Sequence, residues 1–477
     1  MQFNSYSYLI LLIPVVLVFW QLRPAWRNAF LLVMSILFYA SWNALYTPLP
    51  IIISIGAFWC GLRIYEEPER AGFWLKIGTT GVLVCLGFFK YLRFLHENLG
   101  RLWTFTAGQP LGAFASVAVP LGISFYSFEA ISYLVDIKQR REEPVRFKDL
   151  CLFIMFWPHL IAGPIVRVRE LIPQLRFQRR FEPGFILLGL DRIIWGLVQK
   201  NVIVNALAFR VDNGFQSRAA MLNTTLDTWF LALAFGLEIY FDFSAYTNLA
   251  IGTAQLLGIT LPDNFRYPYH ARTPPEFWSR WHMTLSRWVR DYLFFPINVK
   301  YGGAALPLYA SLLGIMALIG LWHGAGWGFL LWGLLQGIYL VAYRLWEKFA
   351  TDRNWSARLR RPIGWIWRCL TLIAVTIAWI PFRAVSLHQT LTMWQLMFVR
   401  LRPGLSYSGT FYLTTMIIAG FCAVEPLLAS KLKTSEGPET AVSPWRSYIL
   451  RPALYAVGLI FFMIFDDQDT QFIYFQF

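Results

Sequence analysis

The chain has 477 residues, of which 57% are hydrophobic, 18% aromatic and 14% charged, and it carries a formal net charge of +15. Soluble domains carry roughly 25% charged residues, and here the apolar residues fall in long blocks, which excludes a water-soluble enzyme with one large core and describes a polytopic membrane protein. The basic excess belongs to loops facing anionic headgroups and cytosolic anions, so it does not argue for nucleic acid.

Tyr8–Trp20 is the first apolar run, and it lacks the basic leader and small-residue cleavage site of a removable signal. Arg23 and Arg27 follow it and place the N-terminus outside. Further runs cover Ala29–Trp42, Ile51–Leu62, Phe73–Tyr91 and Leu111–Val135, the last with Pro120 and Gly122 inside it. Leu150–Val166 is apolar but interrupted by Pro158, Gly163 and Pro164, and it lies between two basic segments. With both flanks cytoplasmic it is expected to dip into the membrane and return, lining a polar cavity near His159.

Phe185–Phe209 and Trp229–Leu256 read as spans. The second carries Glu238 and Asp242, four residues apart and so on one helix face, expected to point into the bundle. Thr273-Pro274-Pro275-Glu276 is a capping box, predicting a helix from there to about Phe295. On that helix Trp278, Trp281, Leu285, Trp288 and Tyr292 form one stripe, with Arg280, Arg287 and Arg290 opposite. This predicts an interfacial helix, apolar into the bilayer and basic toward the cytoplasm, with His282 at the edge of the stripe. Ala304–Leu321 and Trp327–Trp346 form a hairpin around His323, and Ile363–Pro381, Phe411–Leu428 and Tyr448–Phe465 complete the spans. The expected architecture is all-α, with roughly ten to twelve crossings plus re-entrant and interfacial helices, at ~20 residues per crossing.

The five cysteines, Cys60, Cys85, Cys151, Cys369 and Cys422, lie in or beside apolar runs with no C-x-x-C pair and read as small hydrophobes. No metal-ligand spacing, phosphate loop or nucleophile elbow is present in the sequence. The stretch that draws attention is Leu321-Trp322-His323-Gly324-Ala325-Gly326-Trp327, an ionisable ring at membrane depth followed by small residues that let backbone or ligand approach. Residue chemistry leaves two roles open for His323: an interhelical hydrogen-bonding group, or a general base that takes a proton from an attacking hydroxyl. His282 is open in the same way, as a headgroup contact or a functional ring.

Several stretches, in order and spread over nearly the whole chain, resemble the membrane-bound O-acyltransferase (MBOAT) family in its bacterial polysaccharide-acetylating branch. They include Pro120-Leu-Gly-Ile-Ser-Phe-Tyr-Ser-Phe-Glu129, His159-Leu-Ile-Ala-Gly-Pro-Ile-Val-Arg167, Asn264-Phe-Arg-Tyr-Pro268, Glu276-Phe-Trp-Ser-Arg-Trp-His282, Leu321-Trp-His-Gly-Ala-Gly-Trp327 and the closing Phe472-Ile-Tyr-Phe-Gln-Phe477. His159 stands where the family's Gln is expected, so no shared role is carried to it. The resemblance implies one MBOAT membrane domain over residues 1–477, with His323 the catalytic residue and His282 the second functional one. It implies a pocket that includes Asp242, Trp281, Trp322 and Asn264, and Arg280, Arg287 and Arg290 toward the phosphates of the donor. No bound cofactor or metal is implied. Acetyl-CoA is the implied acyl donor, reaching the core from the cytoplasm across a bacterial inner membrane. The acetyl group is implied to leave on the outer side, to a periplasmic acetyltransferase and polysaccharide-synthesis complex acting on alginate or cellulose. The competing readings are D-alanyl transfer to teichoic acid, a transporter, and a non-catalytic scaffold of a polymer-export complex.

Overall fold

Backbone N–H and C=O groups in apolar sequence are cheapest when bonded within a helix, and most of the described residues adopt that solution. A computed structural model describes residues 3–107, 118–177, 180–216, 222–302, 304–353, 357–433, 451–465 and 472–473. Among the described residues the protein is 81% helical with no strands. Seven helices are long and apolar enough to cross a membrane: Pro24–Tyr46, Pro48–Glu66, Pro68–Gly100, Ala305–His323, Trp327–Asp352, Gly364–Arg383 and Gly409–Leu427. Tyr6–Gln21 and Arg451–Phe465 are shorter apolar helices. Large apolar side chains such as Ile10, Val84, Leu318 and Leu413 point outward, a surface suited to hydrocarbon rather than water. The protein is an all-α, multi-pass membrane protein.

The chain separates into two compact units, one of Met1–Arg192 with Leu249–Pro262 and one of Ile193–Asn248 with Asp263–Phe477. The first holds helices α1 (Tyr6–Gln21), α2 (Pro24–Asn43), α3 (Pro48–Glu66), α4 (Ala71–Ala107), α5 (Ile123–Lys138), α6 (Phe147–Met155), α7 (Trp157–Leu160) and α8 (Val168–Arg176). The interrupted stretch after Leu150 is two short helices broken at Phe156, and α6, with nine residues, is far below the ~20 a crossing needs. Gly122, at φ +70°, starts α5 in a left-handed conformation, and a side chain there would run into the Leu160 carbonyl. His159 is fully buried, with Nδ1 3.0 Å from Glu129 Oε1.

Helix α9 (Pro183–Val198) leads through a π-helical turn, Gln199–Val204, into α10 (Asn205–Gly214), and α11 follows as Thr225–Leu256. Next come α12 (Pro274–Trp278), α13 (Met283–Val289), a second π-helical turn (Arg290–Phe294) and α14 (Phe295–Lys300). Helices α15 (Ala305–His323) and α16 (Trp327–Asp352) form the predicted hairpin, before α17 (Ala357–Arg383), α18 (Leu387–Phe398), α19 (Gly409–Lys433) and α20 (Arg451–Phe465). The start of the expected 111–135 run, most of the polar stretch from Lys431 to Arg446, and all of the closing motif except Phe472 and Ile473 lie outside the described residues.

The helix expected from Thr273 to about Phe295 is two short helices with a turn at Ser279–His282 between them. Thr273 caps the first as expected, its Oγ1 accepting the Glu276 N–H at 3.3 Å, while Glu276 reaches back to the N–H of Arg272. The stripe of Trp278, Trp281, Leu285, Trp288 and Tyr292 is buried against protein. Trp281 stacks on Phe277 and packs on Phe265, Tyr240 and Trp379. An apolar stripe is the same pattern whether lipid or protein covers it, and here protein does.

Candidate functional site

The second unit brings the two predicted histidines against one indole, that of Trp322. His323 is the last residue of α15 and is only 3% exposed. Its ring packs against Trp322 (4.8 Å between centroids), Trp332 (5.1 Å, edge-on) and Phe382 (5.3 Å). The α15–α16 hairpin holds it there by close backbone approach. A side chain at Gly320 would strike the Phe329 carbonyl, one at Gly333 the Met316 carbonyl, and one at Gly324 the Phe329 ring. Small residues at such contacts let helices in lipid pack backbone to backbone.

His282 is fully buried and has φ +41°, in the left-handed region that a β-carbon disfavours. Asn264 holds that turn. Its carbonyl oxygen accepts the Met283 N–H at 2.9 Å, and its side-chain Oδ1 accepts from Thr284 Oγ1 (2.6 Å) and the Thr284 N–H (3.3 Å). The His282 ring lies edge-on to Phe243 at 4.7 Å and 6.0 Å from Trp322. Its Nδ1 is 3.3 Å from Asn264 Oδ1. A backbone N–H can only donate, so the Asn264 atom it meets is the oxygen, and His282 Nδ1 must then carry the proton. Burial pushes the His282 pKa down to about 3, which keeps the ring neutral at physiological pH. Nε2 is left with a lone pair, buried and with no hydrogen-bond partner among the described residues.

The same chain matches the model of the membrane-bound O-acyltransferase family over residues 72–387, more than half its length. The chain belongs to the membrane-bound O-acyltransferase family. It is similar to the "Probable alginate O-acetylase AlgI" of Pseudomonas aeruginosa, 36% identical over 404 residues, covering 83% of this chain and 75% of the relative. It is similar to the peptidoglycan O-acetyltransferase of Helicobacter pylori, 32% identical over 427 residues, 82% of this chain and 78% of the relative. Similarity to the teichoic acid D-alanyltransferase of Bacillus subtilis is lower, 25% over 296 residues, 60% of this chain and 72% of the relative. The protein is therefore an O-acyltransferase that works on an acyl donor from within a lipid bilayer.

The other predicted residues of this O-acyltransferase fall into two groups. Trp281, Trp322 and Asn264 are buried beside the histidines as described. Asp242 is also buried but engaged: its Oδ1 meets Lys200 Nζ at 2.6 Å and its Oδ2 accepts the Ile473 N–H at 2.7 Å. Phe472 stacks on Tyr246 and lies 6.0 Å from Phe243, the ring that supports His282. Glu238, on the same helix, is buried as predicted. Of the three arginines, Arg280 pairs with Glu276 at 2.8 Å, Arg290 is exposed and pairs with Asp291 at 2.8 Å, and Arg287 is half-buried.

Sequence reasoning missed Lys200, Thr284 and Trp332. Lys200 had a visible signal as a cation inside an apolar run. Thr284 and Trp332 had none, because a hydroxyl near a helix start and an indole in an apolar helix are ordinary.

Proposed function

We propose that the protein is a membrane O-acetyltransferase of the bacterial inner membrane, taking acetyl from cytoplasmic acetyl-CoA and passing it outward for O-acetylation of an exopolysaccharide such as alginate or cellulose. A periplasmic acetyltransferase within a polysaccharide-synthesis complex is its partner. The observation that carries this reading is the pair of buried imidazoles packed against Trp322 in a chain whose similar relatives are named O-acetylases and O-acetyltransferases. The D-alanyl reading has weaker support, since those relatives match at lower identity over less of the chain.

In this mechanism His323 is the general base. It takes the proton of the acceptor hydroxyl as that oxygen attacks the thioester carbonyl. A carbon–oxygen bond forms, the carbon–sulfur bond breaks, and the leaving thiolate recovers the proton from the imidazolium. His282 orients a reactant by accepting a hydrogen bond at Nε2, the nitrogen left with its lone pair. Arg287 and Arg290 meet the phosphates of the donor, and Arg280, paired with Glu276, holds the turn.

Incubating purified protein with acetyl-CoA labelled in the acetyl group tests the reading. Loss of label from the donor, or labelled protein, supports it. A donor that stays intact with every wild-type residue in place favours the transporter or scaffold instead.

A further inference from the structure

Beside His323 lies a set of buried polar atoms that the mechanism above does not use. The indole Nε1–H of Trp332 and of Trp278, and Nε2 of the Gln336 amide, have no hydrogen-bond partner among the described residues. All three side chains are shielded, at 1%, 8% and 2% exposure. Native proteins leave few such groups unpaired, because each forfeits its hydrogen bond to water and gains none in return. Packing fixes the Trp332 ring: it is edge-on to His323 and Phe382 and stacked on Trp379 at 6.1 Å. Trp278 lies 5.9 Å from it. Gln336 follows Trp332 by four residues, so it sits on the same face of α16, about one turn (~5.4 Å) further from the His323 turn.

The chemistry of the missing partner follows from the donors. An indole nitrogen donates and cannot accept, so the partners of Trp278 and Trp332 are acceptor oxygens. Ordered water is the competing acceptor, since the rings of His323 and Trp379 bring nitrogens to the same indole. We infer that the Trp278–Trp332–Gln336 face is the binding site for the carbonyl oxygens along the linear arm of an acyl thioester, with the thioester carbonyl at Trp332 beside His323 and an amide carbonyl of the arm toward Gln336. This rests on the acyl-thioester reading above and adds the residues that recognise the donor's arm.

The test is binding, without turnover, of an acetyl-CoA analogue in which methylene replaces the thioester sulfur. Wild type, Trp332→Phe and Gln336→Leu are compared in detergent for affinity and for melting temperature without ligand. Trp332→Phe keeps the ring and deletes the donor. It is expected to weaken binding about tenfold, the loss of roughly one hydrogen bond, while the ligand-free melting temperature stays level or rises. Gln336→Leu is expected to weaken binding in the same direction, and it keeps the inference testable should Trp332→Phe fail to fold. Wild-type affinity in both variants, with a lowered ligand-free melting temperature, overturns the inference and assigns the donors to structural water. If wild type binds no analogue, the acyl-thioester reading itself fails and the inference with it.

Discussion

His282 Nδ1 lies 3.3 Å from Asn264 Oδ1, and the same oxygen accepts the Thr284 backbone N–H. This one acceptor selects the tautomer of a buried imidazole and holds its left-handed turn. Asn264→Ala removes both functions. Its turnover is expected to fall about fivefold to tenfold, the worth of one orienting hydrogen bond of about 1 kcal/mol, and the melting temperature is expected to drop. Asn264→Asp keeps the acceptor and is expected to retain more activity than Asn264→Ala. Initial rates and thermal unfolding in detergent check both.

The depressed pKa of His282 links stability to pH. Between its folded value of about 3 and the ordinary imidazole value of 6.5, the unfolded chain binds a proton at this site and the folded protein does not. Stability from this site is therefore complete above 6.5 and is lost progressively as pH falls toward 3. His282→Gln is expected to flatten that part of the curve, read as melting temperature from pH 7 to pH 4.

Helix contact at the His323 hairpin depends on bare backbone. Gly333→Ala places a methyl group into the Met316 carbonyl and is expected to cost about 1–3 kcal/mol by overpacking, with a parallel loss of activity as His323 shifts. Gly314, on α15, has nothing within 4 Å of an added side chain. Gly314→Ala is the matched control and is expected to leave both properties unchanged.

The Lys200–Asp242 pair is buried on both sides. Lys200→Met leaves a buried carboxylate without its cation and is expected to cost about 3–5 kcal/mol, the usual effect of breaking such a pair. Adding Asp242→Asn removes the stranded charge and is expected to restore part of the loss. Thermal unfolding of the single and double variants decides it.

Much of this architecture was legible because membrane depth writes itself as apolar blocks, and the His323 hairpin was legible because glycine and histidine are both out of place there. The break at His282 was not. The stripe from Trp278 to Tyr292 keeps helical register straight through it, and the residue that stops the helix, Asn264, lies eighteen positions earlier. The face covering that stripe was misread for a related reason: bilayer and protein interior select the same side chains. Asp242 was placed in the interior, but its partners, Lys200 and the Ile473 N–H, are distant in sequence and only the fold brings them together.

The central claim is that His323 is the base for acyl transfer, and the most direct measurement is acetyl-CoA consumption by purified His323→Ala protein beside wild type. Loss of a positioned base is expected to slow consumption by roughly 10²–10⁴-fold while binding of the unreactive analogue persists. Undiminished consumption would contradict the account.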